Sequence, residues 1–197
     1  MDQILQKSFK KGISYQDYRN LVSTLVEQKK STGNEQSDDL SNYTSLNNSR
    51  MKRLDKTLKI STEKLEKIKQ NKHKQTWLLI TESWCGDAAQ TVPMINKIAE
   101  ASENIDLKIV LRDENDELMQ QFLTNGNKAI PILIGVDKKT NTALNNWGPR
   151  PTTAAKLVND YKKEHGGLDA QFKEDLQKWY NKDKGQDTLE DILNLFF

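Results

Sequence analysis

The chain has 197 residues, of which 35% are hydrophobic and 29% charged, and its formal net charge is +2. Its four Trp, five Tyr and five Phe can anchor a folded core, so the composition excludes a wholly disordered chain. We expect no membrane-spanning segment, because no apolar run approaches the ~20 residues that cross a bilayer.

The first part of the chain predicts helices around one polar loop. Residues 1–12 lack the apolar stretch of a secretory signal, so we expect a cytoplasmic protein. Ser14 with Asp17 three positions later resembles a capping box, and the apolar spacing behind it predicts a helix over 15–29. Residues 31–49 are rich in Ser, Asn, Asp and Gly and predict a loop, which we expect to be the most mobile internal segment.

Helical spacing returns after this loop and then gives way to alternating strands and helices. Apolar residues predict helices around 51–58 and 65–68, the second of them capped by Ser61 or Thr62. The next predicted elements are a buried strand over 77–80, a helix over 86–100, a strand over 107–111, a short helix over 118–125, strands over 130–136 and 142–147, and a helix from 154 that Gly166 ends. The first two strands should be parallel, and the last two should form a hairpin.

The C-terminal tail predicts two further helices with apolar faces. Apolar residues from Phe172 to Tyr180 mark the first, and Asp187 with Glu190 predicts the cap of the second. Such faces must be covered by a neighbour. Because Gly166 and the glycine after it allow a tight reversal, we expect the tail to fold back along the domain rather than to form a partner interface.

The strongest candidate for chemistry is Trp84-Cys85-Gly86-Asp87, where the first strand gives way to a helix. A thiol at a helix N-terminus faces unpaired N–H groups and the positive end of the helix dipole, which favour the thiolate. Trp84 would supply an apolar wall, and Gly86 would let another backbone approach. A buried structural cysteine is the alternative, and Asp87 either raises the thiol pKa or is an ordinary helix-start residue.

This turn resembles the active site of the thioredoxin family, in which Trp-Cys-Gly-Pro-Cys opens a helix that a proline kinks further on. Cys85, Gly86 and Pro93 fall in register with that pattern. Asp87 stands in the position of the family's proline, and Ala88 stands where the second cysteine would be. Without a second thiol, Cys85 cannot close an internal disulfide.

Two later motifs continue the resemblance, and one residue departs from it. Ile130-Pro131 is similar to the family's Ile-Pro-Thr loop, whose proline is cis and lies beside the reactive sulfur. Gly148 is similar to the glycine that ends the last strand. Thioredoxins carry a buried carboxylate six residues before the nucleophile, and the residue here is Leu79. That loss suits a site with no second cysteine to deprotonate.

The resemblance implies an α/β thioredoxin fold, with a central mixed β-sheet flanked by helices. We expect this domain over residues 60–165. A helical extension over 1–59, which includes the polar loop 31–49, would precede it, and a second helical extension over 166–197 would follow it.

The function implied by the resemblance is thiol–disulfide chemistry at a single cysteine, in the setting of cell redox homeostasis. Cys85 would be the catalytic residue of a monothiol oxidoreductase. It would attack a disulfide-containing protein, or accept a low-molecular-weight thiol from the disulfide of that thiol, and an external thiol would resolve the resulting mixed disulfide. The substrate-binding residues would be Trp84, Gly86, Asp87, Ile130 and Pro131. The alternative is a non-catalytic binding module that uses the Trp84/Pro131 groove for a peptide or protein partner.

Other ligands and partners are not expected. With one cysteine and with His73 and His165 far apart, the sequence has no pattern of metal ligands, and nothing in it indicates a cofactor. Residues 1–75 hold 16 Lys and Arg against 9 Asp and Glu. Without interleaved aromatics, this basic part predicts a solvated face rather than a nucleic-acid site. The oligomeric state stays open.

Overall fold

A computed structural model describes residues 2–197 of the chain. The helices are α1 (Asp2–Lys11), α2 (Tyr15–Glu27), α3 (Asp38–Thr57), α4 (Thr62–Gln70), α5 (Gly86–Glu100), α6 (Asp116–Met119), α7 (Thr152–His165), α8 (Ala170–Asp183) and α9 (Gln186–Phe196). The strands are β1 (Gln75–Thr81), β2 (Ile105–Leu111), β3 (Ile132–Asp137) and β4 (Ala143–Trp147). Within residues 2–197, the helices are all too short or too polar to cross a membrane.

The strands form one mixed sheet in the order β2-β1-β3-β4. β1 runs parallel to β2 and antiparallel to β3, and β3 pairs with β4 as an antiparallel hairpin. The run from Trp77 to Ile80 is completely buried because β1 is central and helices cover both faces. The predicted parallel pair, the predicted hairpin and the α/β architecture of a mixed sheet flanked by helices are confirmed.

The predicted loop over 31–49 is wrong, because α3 occupies most of it. This helix runs 20 residues from its N-cap Ser37, and the irregular segment is confined to residues 28–37. Its buried residues are Thr44, Asn47, Met51 and Leu54, which lie at helical spacing. Since the first two members of this stripe are polar, apolar periodicity alone does not find it. The expectation of a mobile segment rested on the same error.

Capping residues predicted two helix starts correctly and a third wrongly. The hydroxyl oxygen of Ser14 accepts the N–H of Asp17 at 3.1 Å, and Ser61 caps α4 in the same way. The last helix instead begins after Gly185, which has a φ of +75°. Asp187 lies inside α9, and its carboxylate accepts hydrogen bonds from the backbone and hydroxyl of Thr153.

The C-terminal tail packs onto the same molecule, as predicted. The buried face of α9 belongs to the main hydrophobic cluster and consists of Leu189, Ile192, Leu193 and Phe196. The Phe196 ring lies 5.3 Å from the ring of Trp77, centroid to centroid. Gly135 on β3 makes room for it, since a β-carbon there would lie 2.5 Å from the Phe196 ring. α8 packs against α7 in a second, smaller cluster.

Candidate active site

Cys85 is the N-cap of α5, at the point where the chain leaves β1. Its sulfur accepts the N–H of Ala88 at 3.4 Å, as a capping side chain does. The thiol in turn donates to the carbonyl oxygen of Ile130 at 3.3 Å. Because Cys85 is only 8% exposed, both contacts are made away from bulk water. The thiol is therefore anchored between the helix terminus and the loop before β3.

Burial raises the pKa of the Cys85 thiol from an ordinary 9.0 to about 12, and the negative charge of Asp87 adds to the rise. The backbone N–H groups of Ala88 and Asp87 and the charge of Arg150 act in the opposite direction but are outweighed. The helix terminus does favour the thiolate, but burial outweighs this effect because a sulfur anion would lose its hydration there. Cys85 is protonated at neutral pH.

Asp87 is the centre of a charged network rather than an ordinary helix-start residue. Its side chain is 12% exposed and forms an ion pair with Arg150 at 2.7 Å. The hydroxyl of Tyr180 donates a hydrogen bond to the same carboxylate at 2.9 Å. Burial raises the pKa of Asp87, whereas Arg150 and Tyr180 lower it. The network ties the start of α5 to α8 and to the segment before α7.

The turn between β1 and Cys85 is held from outside the sheet. The hydroxyl of Ser83 bonds with Thr32 and Thr44, and its carbonyl oxygen accepts the side-chain amide of Asn47 at 2.9 Å. The carboxylate of Glu82 accepts the N–H of Asp113 at 2.9 Å, and burial raises its pKa. Glu82 and Ser83 are therefore buried supports of the turn.

Pro131 follows a cis peptide bond from Ile130 and is buried beside the end of the last strand. Gly148 has a φ of +125°, which L side chains rarely adopt. A β-carbon at Gly148 would lie 2.1 Å from the carbonyl oxygen of Pro131. Glycine is therefore required here for two reasons, the backbone conformation and the close approach of another chain segment.

Gly148→Ala should destabilise the protein by at least about 2–3 kcal/mol, because strain and a backbone clash add. Gly166→Ala is the matched control: its φ is +75°, but a β-carbon there meets nothing within 4 Å. We expect about 1 kcal/mol for the control. Urea unfolding of both variants measures the difference, and equal losses would show that the Pro131 contact is not made.

A cavity of about 710 Å³ lies beside Cys85. Five of the predicted site residues line it, namely Trp84, Cys85, Gly86, Asp87 and Ile130. Pro131 is not among the lining residues, so the predicted groove between Trp84 and Pro131 is a cavity between Trp84 and Ile130. Pro149 forms part of its wall instead.

The family model described as Thioredoxin matches residues 33–162, about two thirds of the chain. The chain belongs to the thioredoxin family. Among solved structures, a protein of unknown function from Pseudomonas aeruginosa superposes with a TM-score of 0.60 and 15% identity, over 79% of this chain and 89% of that one. An HIV epitope-scaffold superposes with a TM-score of 0.58 and 16% identity, over 93% and 97% respectively. At these identities the likeness shows the fold alone. No curated protein matches the chain.

Sequence patterns missed the residues that surround this thioredoxin-type turn from other helices. Arg50 comes from α3, Arg150 precedes α7, and Gln177 and Tyr180 come from α8. The amide of Gln90 on α5 donates to Gln177 at 2.9 Å. Tyr180 was visible only as part of an apolar face, and no motif marked its hydroxyl or either arginine. Their roles depend on contacts between distant parts of the chain.

Proposed function

We propose that this thioredoxin-like protein is a monothiol thiol–disulfide oxidoreductase whose Cys85 forms a mixed disulfide. The observation that carries the proposal is the placement of the sulfur. It caps the first turn of α5, contacts the carbonyl of Ile130, and lies at the wall of a cavity large enough for a small substrate. The family membership adds the chemistry that such a placement commonly supports.

The reaction has two exchange steps. Cys85 first loses its proton to solvent, and the thiolate attacks one sulfur of a disulfide. The substrate's S–S bond breaks as the new bond to Cys85 forms, and the departing thiolate takes up a proton. An external thiol then attacks the mixed disulfide and releases Cys85 as a thiol. No step requires a second cysteine, in agreement with Ala88 and with Leu79 at the position of the family's carboxylate.

The raised pKa makes both steps slow. It lowers the thiolate fraction at neutral pH, and the greater nucleophilicity of each thiolate compensates for only about half of that loss on a logarithmic scale. Attack by Cys85 should therefore be slower than attack by free cysteine. A thiol of high pKa is also a poor leaving group, so an external thiol should resolve the mixed disulfide slowly. The site suits a long-lived mixed disulfide better than rapid turnover.

The other candidate is a non-catalytic binding module that uses the same cavity. The observation that favours it is the burial of Cys85, whose protonated thiol donates a hydrogen bond instead of facing solvent. In that case Trp84, Gly86 and Ile130 would contact a partner, and the thiol would be a passive part of the wall. Adduct formation separates the two candidates.

Incubation with hydroxyethyl disulfide, a small neutral probe, should give one adduct per chain by intact-protein mass spectrometry. Cys85→Ala should give none, and dithiothreitol should reverse the adduct. A wild-type chain that stays unmodified after prolonged incubation at pH 9, where the thiolate fraction is larger, would reject the oxidoreductase and leave the binding module.

The wild-type protein should not act as a stand-alone reductant of protein disulfides with thioredoxin reductase and NADPH, because Ala88 cannot resolve the mixed disulfide. Ala88→Cys should gain measurable but slow turnover in the same assay, since Leu79 offers no base for the second thiol. Insulin reduction is a suitable measurement. Robust wild-type turnover without added thiol would contradict the monothiol mechanism.

A further inference from the structure

The cavity beside Cys85 has an excess of basic side chains. The negatively charged lining residues are Asp87 and Glu174, and the positively charged ones are Arg50, Arg112, Lys128, Arg150 and Lys173. A low-dielectric wall strengthens the field of such charges toward a ligand. The excess of cations therefore favours an anionic ligand over a neutral or cationic one.

Most of these charges already have partners. Arg150 neutralises Asp87, Lys178 pairs with Glu174 at 2.9 Å, and Lys128 pairs with Asp116. Arg112 pairs with its neighbour Asp113 and lies over the Trp84 ring, 4.8 Å from its centroid. What is left to attract a ligand is the charge that these pairs do not balance.

Two lining cations supply that charge, Lys173 and Arg50. Lys173 is exposed to solvent, which screens its charge, whereas Arg50 is half-buried. Among residues 3–197, the ion pairs leave Arg50 without a carboxylate partner, and its Nη1 donates to the amide oxygen of Asn47 at 3.0 Å. Burial and the neighbouring Arg53 lower its pKa, and the negative charge of Asp87 offsets them only in part.

The position of Arg50 places this charge next to the reactive turn. A β-carbon on Gly86, the first residue of α5, would lie 3.6 Å from Nη1 of Arg50. An anion near Cys85 would therefore meet both the guanidinium and the positive end of the α5 dipole. The rest of the wall is largely apolar and includes Tyr43, Trp84 and Leu168, which suits the carbon chain of a small molecule.

We infer that this cavity takes a low-molecular-weight thiol bearing a carboxylate, or its disulfide, with the carboxylate at Arg50 and the sulfur at Cys85. The inference rests on the proposed function and names its substrate class. A planar carboxylate matches the fork of a guanidinium. Charge balance within the wall also favours one carboxylate at this position, since Arg50 is its half-buried cation without an ion pair, whereas a phosphate dianion would leave excess charge beside Asp87.

Three small disulfides of different charge test the inference: dithiodiglycolate is anionic, hydroxyethyl disulfide is neutral, and cystamine is cationic. The rate of mixed-disulfide formation at Cys85 is measured for each disulfide and divided by the rate at which free cysteine reacts with the same disulfide. This division removes differences in intrinsic reactivity among the three disulfides. The normalised rate should be highest for the anion and lowest for the cation, with a ratio of about tenfold or more between them.

Arg50→Gln should reduce this anion-to-cation ratio by about tenfold, and Arg50→Lys should keep most of it because the positive charge remains. Lys162→Gln is the control, since Lys162 is exposed on α7 and does not line the cavity. It should leave the ratio unchanged.

The outcomes separate the inference from the proposed function. If hydroxyethyl disulfide gives no adduct at Cys85, the proposed function itself fails. If it reacts but the three normalised rates are equal, or if Arg50→Gln leaves the ratio unchanged, the substrate class is wrong while the monothiol chemistry stands.

Discussion

A chain that ends at His165 should be unstable and prone to aggregate. The truncation removes α8 and α9, whose buried apolar residues are Leu176, Tyr180, Leu189, Ile192, Leu193 and Phe196. At about 1.5–3 kcal/mol for each buried side chain, their loss would consume most of the ~5–15 kcal/mol that stabilises a typical domain. It would also expose Trp77 of the central strand. Light scattering and thermal unfolding measure the result.

A pair of single substitutions tests the same packing in the full-length chain. Phe196 is 7% exposed and Leu195 is 39% exposed, although they are neighbours on α9. Phe196→Ala should cost about 3–5 kcal/mol, and Leu195→Ala less than about 1 kcal/mol. If the truncated chain stays soluble, monomeric and equally stable while the full-length protein is an oligomer, the tail is an interface and the packing described above is wrong.

The reactivity of Cys85 should rise about tenfold for each pH unit between pH 7 and pH 11. Only the thiolate reacts, and its fraction grows in proportion to hydroxide as long as the pH lies below the pKa of about 12. Free cysteine reaches a plateau above pH ~9. Iodoacetamide, a neutral reagent, measures the profile by mass spectrometry. Poor access to the buried sulfur would lower the reaction rate by the same factor at every pH, so the slope of the logarithm of the rate against pH would not change.

Asp87→Asn tests the cause of this pH dependence. Removing the carboxylate charge removes one of the two effects that raise the pKa and leaves Arg150 free to favour the thiolate, so the profile should move to lower pH. Tyr180→Phe is the control, because it removes the hydrogen bond to Asp87 but keeps the charge. A wild-type plateau below pH 9 would show that Cys85 is not held in the protonated state described above.

The sheet was predictable from local patterns. The continuous apolar run at 77–80 predicted a strand that is covered on both faces. The helix that follows Cys85 was predicted with the observed bounds, Gly86–Glu100. The predicted loop over 31–49 failed because a buried face need not be apolar. Thr44 and Asn47 are buried because Ser83 satisfies their polar groups, and a hydropathy pattern does not detect that compensation.

The candidate site was predictable only in part. Two separate motifs predicted that Cys85 and Ile130 share one site, and the two residues are in contact although they are 45 positions apart. The direction of the thiol pKa was not predictable, because a helix terminus and burial act in opposite directions and only the structure gives their balance. The partners of Asp87 lie 63 and 93 positions away on segments with no motif. Polar contacts between such distant positions do not alter the apolar periodicity of the sequence, so sequence patterns do not reveal them.

The hydrogen bonds around Ser83 have a consequence for how the thiol can be reached. Because Thr32 before α3 and Thr44 and Asn47 on α3 bond to this one residue, outward movement of the turn that carries Cys85 would break these hydrogen bonds. Full exposure of the sulfur would then require local unfolding that separates α3 and the 28–37 segment from the turn. Labelling of Cys85 by a reagent too large for the cavity would report how often that opening occurs. The free energy of this opening, rather than loop flexibility, would set the access of protein-sized substrates to Cys85.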